Sequence, residues 1–322
     1  MKKNSIFCTL GPSSLNKTFL KFSEKNKISL LRLNLSHLSI KKLKKNIKFI
    51  KKNCNIPICI DTEGAQIRTK IKFQKYFKKK QIGTINKLQN KGFSFYPENI
   101  FEKIKIGDQL IIGFAGLKIK IIKKNKLNLY FKTIASGLLE NNKGVHLINR
   151  KIKINYLTNK DLHAIEISKK FNIKYFALSF TNSLNDVIKF SKLLPKQKKI
   201  FKIETKKALY NFNKLIKYGD YFLIDRGDLS QDINIDQIPS AQREIISISK
   251  KFKNKKIYVA TNLLESMIKS PIPTRAEAND IFNTLEMGAS GLVLAAETAI
   301  GKYPEQCIQF IKKIISNFKK FK

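Results

Sequence analysis

Ile200-Phe201-Lys202-Ile203-Glu204, a helical stretch over Lys206 to Lys217, then Tyr221-Phe222-Leu223-Ile224-Asp225 running into Arg226-Gly227-Asp228, form the segment that decides the fold. Two short apolar strands, each ending in ionisable residues, are joined by one helix. The same unit repeats along most of the chain. Strands are expected at Ser5 to Leu10, Ile28 to Leu33, Ile56 to Asp61, Tyr175 to Phe180, Ile200 to Glu204, Tyr221 to Asp225, Lys256 to Thr261 and Gly291 to Leu294. Helices are expected at Ser39 to Lys52, Asn159 to Lys170, Leu184 to Leu194, Lys206 to Lys217, Ile238 to Lys253, Arg275 to Met287 and Pro304 to Phe318. Strict alternation of strand and helix means a parallel sheet. Eight such strands make an α/β fold, a (β/α)8 TIM barrel, whose reacting groups gather at the carboxyl ends of the strands.

One interval breaks the alternation. Between about residues 70 and 150 there are turn signals at Ile106-Gly107-Asp108 and Phe114-Ala115-Gly116, β-rich runs at Leu110 to Phe114 and Leu117 to Ile122, and no long helix. This reads as a small all-β domain inserted after strand 3, which divides the chain into residues 1–69 and 151–322 of the barrel and residues 70–150 of the insertion. An insertion at the catalytic end of a barrel is placed to act as a lid that excludes water during transfer. Elsewhere the helix starts are well marked. Thr274-Arg275-Ala276-Glu277 has the spacing of a capping box, in which hydroxyl and carboxylate satisfy the first free amides.

The composition supports a large core: 322 residues, 43% hydrophobic. No stretch reaches the roughly 18 unbroken apolar residues of a membrane span, and the first residues lead into a strand, so the expectation is a cytoplasmic protein with no membrane partner. Cys8, Cys54, Cys59 and Cys307 lack the spacing of a zinc set and read as reduced, buried thiols. The formal charge is +41, which ordinarily argues for nucleic acid. Here only six basic residues are Arg, and the basic residues are spread through every helix. Specific nucleic-acid binding is therefore not expected.

Lys202, Glu204 and Asp228 are the candidate site on residue chemistry alone. A magnesium ion is commonly held by one or two carboxylates, with substrate oxygens and water completing its shell.

The motifs extend this reading. Cys8-Thr9-Leu10-Gly11-Pro12-Ser13-Ser14, Leu31-Arg32-Leu33-Asn34-Leu35-Ser36-His37 and Ile60-Asp61-Thr62-Glu63-Gly64-Ala65-Gln66-Ile67-Arg68-Thr69 open the set. Phe201-Lys202-Ile203-Glu204, Arg226-Gly227-Asp228-Leu229, Ala260-Thr261-Asn262-Leu263-Leu264-Glu265-Ser266-Met267, Pro273-Thr274-Arg275-Ala276-Glu277 and Glu297-Thr298-Ala299 complete it. In this order they resemble the pyruvate kinases, from about Phe7 to Ile311.

The resemblance implies transfer of the phosphoryl group of phosphoenolpyruvate to ADP, giving ATP and pyruvate in glycolysis. Two anionic substrates must meet, so cations have to stand between them. Each opposite-charge contact at 4 Å is worth about 4 kcal/mol at an effective dielectric of 20. By the resemblance, Glu204 and Asp228 hold the Mg2+ or Mn2+ ion, Lys202 stabilises the transferring phosphoryl group, and Arg32 contacts it. Thr261 takes part in protonating the enolate through water, and Gly227 lets backbone amides reach the substrate carboxylate. Asn34, Ser36, Asp61 and Thr62 match oxygen ligands of K+. His37, Arg68 and Lys143 match nucleotide contacts, Lys143 from the lid.

The departures are specific. Asp225 stands where the family has a small residue before Arg-Gly-Asp, and Glu63-Gly64-Ala65-Gln66 replaces Lys-Gly-Pro-Glu. At the last of these positions glutamate goes with potassium dependence and lysine with independence, so Gln66 leaves both open. Ala295-Ala296-Glu297 stands for Ser-Gly-Glu, Asn262 follows Thr261 where the family has Gln, and Gly113-Phe114-Ala115-Gly116 replaces a lid Asp-Asp-Gly turn. The sequence ends after the eighth helix, before the regulatory domain of typical members, which implies a kinase without sugar-phosphate allostery and a homo-oligomer, if one forms, built through the barrel. Two further readings stand beside this one: a phosphoenolpyruvate- or nucleotide-binding barrel impaired in transfer, and a basic RNA-binding or scaffolding protein.

Overall fold

The computed structural model describes residues 4–88, 92–113, 116–148, 150 and 152–321, in two compact units, Met1–Gly64 with Asn159–Lys322 and Ala65–Thr158. Phe114 and Ala115 of the altered turn lie outside the described residues.

In the first unit, eight parallel strands close into a barrel in chain order: Ser5–Thr9, Leu30–Asn34, Ile58–Asp61, Tyr175–Leu178, Lys198–Ile203, Tyr221–Asp225, Lys256–Ala260 and Gly291–Leu294, which returns to pair with Ser5–Thr9. Each expected strand is present, with ends shifted by up to two residues. Successive residues of a strand point to opposite faces, and one inward position per strand forms a shared apolar layer of Phe7, Leu30, Cys59, Ala177, Ile200, Leu223, Tyr258 and Val293. Two residues further along each strand, the same face carries Thr9, Arg32, Asp61, Ser179, Lys202, Asp225, Ala260 and Ala295. The barrel interior therefore changes from hydrocarbon to charge within one layer. Its carboxyl end is where the chain concentrates buried ionisable groups.

Helices between the strands start at side-chain caps from Asn16, Ser39, Ser183, Thr205 and Thr274. Thr274 and Glu277 form the expected capping box. Among the described residues, one helix longer than a single turn, Lys17–Lys25, was not expected. Its nine residues bury only Phe19, Leu20 and Ser23, too short a stripe to stand out by periodicity. All four cysteines are free and buried, and burial raises the pKa of each thiol, to about 12 for Cys307. Among the described residues no helix is long and apolar enough to cross a membrane.

The second unit follows the third barrel strand. A seven-stranded sheet takes the order Ile82–Asn86, Asn128–Ala135, Leu117–Lys124, Gln109–Ile112, Gly144–Leu147, Ile67–Lys70, Ser94–Tyr96, with each described pairing antiparallel. A ribbon of Lys75–Phe77 with Gly137–Leu139 and a helical turn at Ile100–Lys103 complete it. It has its own core, including Ile85, Phe95, Leu110, Ile119 and Phe131. The unit is wider than residues 70–150 because Ile67–Lys70 is one of its strands and Ile152 and Ile154 pack on its core.

Candidate active site

Lys202 is the hub. On the fifth barrel strand it follows Ile200 on the inward face, so a long cationic side chain rises from the apolar layer. Its ammonium lies 2.7 Å from Glu204 Oε1, 3.2 Å from Asp225 Oδ2 and 3.5 Å from Asp61 Oδ2, and donates to Ser179 Oγ at 3.3 Å. Arg32 reaches the same place from the second strand: Nη1 is 3.2 Å from Asp61 Oδ2, and Nε donates to Thr9 Oγ1 at 2.9 Å. Strand register makes this meeting inevitable, since Arg32 pairs with Cys59 and Asn34 with Asp61 on the neighbouring strand.

Burial and charge compete in this cluster. Desolvation by itself lowers the pKa of Lys202, but Asp61, Glu204 and Asp225 together push it above its ordinary value. Arg32 is raised for the same reason, chiefly by Asp61. Glu204 goes the other way. Its burial, with Asp228 and Asp225 beside it, outweighs Lys202 and pushes the carboxyl up to about 8. Asp225 is held below the usual carboxylate range because Lys202 and Arg32 overcome its burial.

Glu204, Asp225 and Asp228 each offer a ligand atom within 4.8 Å of the others. Two buried atoms here make no hydrogen bond within the protein: Glu204 Oε1 and Arg32 Nη1. Both have a close opposite charge, but off the hydrogen-bond directions. Buried polar atoms are rarely left so. An acceptor oxygen amid carboxylates suits a hard cation, and a guanidinium nitrogen suits an anion such as phosphate. The donor set therefore fits a divalent ion and a phosphorylated ligand.

The neighbouring backbone is fixed by groups whose role was not read from the sequence. Ser179 Oγ donates to Thr62 O at 2.7 Å and to Asp61 Oδ1 at 3.2 Å, and Ser179 N donates to Thr62 Oγ1 at 3.0 Å. Phe180 N donates to Glu204 Oε2 at 2.6 Å. Asp161 accepts from Glu63 N at 2.7 Å and Gly64 N at 3.1 Å. Gly64 itself needs to be glycine: φ is +65° and a Cβ would fall 2.6 Å from Ser179 O. Ser179, Phe180 and Thr9 carry no charge, so only their position at strand ends marked them.

Thr261 follows the seventh strand in the left-handed region at φ 69°, with Asn262 after it at 53°. A β-branched residue there is strained by about 1–3 kcal/mol. Arg226 holds it in place, donating from Nε and Nη2 to Thr261 O at 3.1 and 2.7 Å while Nη1 pairs with Asp280 Oδ2 at 2.7 Å. The Gly227 amide, expected to face a substrate carboxylate, donates to Thr261 Oγ1 at 2.8 Å.

Of the expected potassium ligands, Asn34, Asp61 and Thr62 lie side by side on or just after the paired second and third strands, and Ser36 follows in the short helix Leu35–His37. Asn34 Oδ1 accepts from Ser36 N at 2.9 Å. His37 is exposed at the end of that helix. Arg68 and Lys143 belong to the second unit, where Gly144, next to Lys143, pairs with Arg68 and Lys143 lies 3.3 Å from Glu140.

Residues 1–308 match the family described as pyruvate kinase, barrel domain. The chain belongs to the pyruvate kinase family. It is 31% identical over 341 residues to a pyruvate kinase of Thermotoga maritima, across 99% of this chain and 72% of that protein. A pyruvate kinase of Buchnera aphidicola subsp. Schizaphis graminum is 31% identical across 99% and 70%. One of Staphylococcus epidermidis is 31% identical across 98% of this chain, which spans only 56% of that longer protein. Pyruvate kinases are phosphotransferases, and the chain is accordingly an enzyme of that class.

Proposed function

We propose that this chain transfers the phosphoryl group of phosphoenolpyruvate to ADP, giving pyruvate and ATP, as a glycolytic enzyme of the cytoplasm. The observation that carries the reading is the buried Arg32–Asp61–Lys202–Glu204 cluster, with Arg32 Nη1 and Glu204 Oε1 lacking hydrogen bonds. A cluster of this kind is preorganised for charge that develops during transfer.

In this reading Glu204 and Asp228 hold Mg2+ or Mn2+, which supplies charge neutralisation for the phosphoryl oxygens when bound. Lys202 stands over the transferring group as a fixed positive charge, its ammonium locked by Asp61, Asp225 and Ser179. Arg32 supplies a second donor to the phosphoryl oxygens and is kept rigid by Thr9. Thr261, with its hydroxyl fixed between Gly227 N and Ala260 O, positions the water that protonates the enolate carbon. Asn34, Ser36, Asp61 and Thr62 form an all-oxygen set suited to K+. His37, Arg68 and Lys143 serve the nucleotide, with the second unit as the lid.

The test is a lactate-dehydrogenase-coupled assay of pyruvate formation from phosphoenolpyruvate and ADP with Mg2+, run with and without K+. Pyruvate formed only when both substrates and the divalent ion are present supports the reading, and the K+ comparison reports what Gln66 does. Absence of pyruvate from a folded sample would remove it. One observation favours a second reading, capture of phosphoenolpyruvate or nucleotide with little transfer: Asp225 places an extra carboxylate 3.2 Å from Lys202.

A further inference from the structure

Asp225 is buried on the sixth strand, on the inward face two residues beyond Leu223. It adds a carboxylate to a place that already holds Glu204 and Asp228, and the three offer ligand atoms within 4.8 Å of one another. Oxygens sharing one Mg2+ at about 2.0–2.1 Å lie no more than about 4.2 Å apart. A small side-chain shift brings the three carboxylates into one such shell.

Charge makes the same demand. With Glu204 ionised, as a metal ligand must be, Lys202 and Arg32 stand against Asp61, Glu204 and Asp225, with Asp228 on the rim, two positive groups against four negative, which leaves two net negative charges. Uncompensated charge in a buried cluster is costly, and one divalent cation cancels it. An independent pointer is Glu204, whose side chain is fully buried while Oε1 accepts no hydrogen bond. A carboxylate oxygen withdrawn from water, with the Lys202 ammonium at 2.7 Å as counter-charge but no aligned hydrogen bond, keeps lone pairs for a metal ion.

We propose that Asp225 is a third carboxylate ligand of the divalent cation, so that this chain takes up the ion before phosphoenolpyruvate arrives. The proposal rests on Glu204 and Asp228 as the seat of that ion. A two-carboxylate seat leaves most positions to substrate oxygens and water. A third acid binds the free ion more tightly, and its charge opposes the anionic substrate that follows. Asp225 thus exchanges substrate affinity for metal affinity.

The experiment titrates Mn2+ into the intact protein without substrates, reading free Mn2+ by electron paramagnetic resonance. It compares the parent with Asp225→Asn, Asp225→Ala and Glu204→Gln, each checked for folding by circular dichroism. The expected result is one Mn2+ bound by the parent and at least tenfold weaker binding by both Asp225 variants. With saturating metal, KM for phosphoenolpyruvate is expected to fall in Asp225→Ala. Should the alanine variant not fold, the asparagine variant, which keeps the volume, decides. Unchanged Mn2+ affinity in the folded Asp225 variants, with loss in Glu204→Gln, overturns the role of Asp225 and leaves the seat standing. Parent-like binding by Glu204→Gln, or none by the parent, overturns both.

Discussion

The hydroxyl of Thr261 accepts the Gly227 amide at 2.8 Å and donates to Ala260 O at 2.5 Å, so one side chain ties the ends of the sixth and seventh strands together. Removing that oxygen orphans the Gly227 N–H, while the strained backbone of residue 261 remains. Thr261→Ala is expected to cost about 1–2 kcal/mol of stability and about a hundredfold in turnover. Thr261→Ser keeps the hydroxyl and sheds the γ-methyl, so it should retain most of both. Thermal melts and steady-state assays of the two variants check this, and equal turnover in Ala and Ser would break the link between hydroxyl and chemistry.

Asp228 sits on the rim of the carboxylate group, half-buried. Asp228→Ala should lower Mg2+-dependent turnover by about 10³-fold, some 4 kcal/mol of transition-state stabilisation, with the circular dichroism spectrum unchanged. Near-parental turnover would mean the ion sits elsewhere.

Asp161 tests the structural frame of the site. Its buried carboxylate holds two backbone amides, those of Glu63 and Gly64. Asp161→Ala leaves both without that acceptor and is expected to cost about 3 kcal/mol, a drop of about 6–12 °C in Tm for a unit of this size. A shift under about 2 °C would show that the turn is held by other contacts.

Glu277 gives a pH dependence of known sign. Burial alone raises its pKa, but hydrogen bonds from Ser266 and Thr274 outweigh it and hold the carboxyl below its ordinary 4.5. Its contribution is therefore present above pH 4.5 and is lost as the pH falls through the lower folded value. Glu277→Gln should cost about 1 kcal/mol at pH 7, limited by solvent screening. Urea unfolding at pH 7 and pH 3.5 should show that difference shrinking on acidification. A constant difference would assign the effect to shape.

The barrel was legible because each of its strands carries its own apolar run and its own turn, with pairing partners dictated by chain order. Lys202 and Glu204 announced themselves as charges inside or at the end of an apolar run, whereas Arg32 entered only through the family resemblance. What the sequence left unread is non-local. The sheet order of the inserted unit depends on register between strands far apart in sequence, such as Gly144 opposite Arg68, and no local pattern encodes it. Ser179 and Thr9 matter because of where neighbouring strands bring Asp61 and Arg32, and a lone hydroxyl has no pattern. Asp225 was visible as a departure, yet its contact with Lys202 appears only when the fifth and sixth strands are placed in register.

The measurement that tests the account most directly compares pyruvate formation from phosphoenolpyruvate and ADP by the parent and by Lys202→Met, with saturating Mg2+. Lys202 is the group on which Asp61, Glu204 and Asp225 converge, and methionine keeps much of its length without the charge. The predicted result is active parent and a loss of about 10³-fold or more in a variant that still folds. A folded Lys202→Met protein with turnover within about tenfold of the parent would contradict the account.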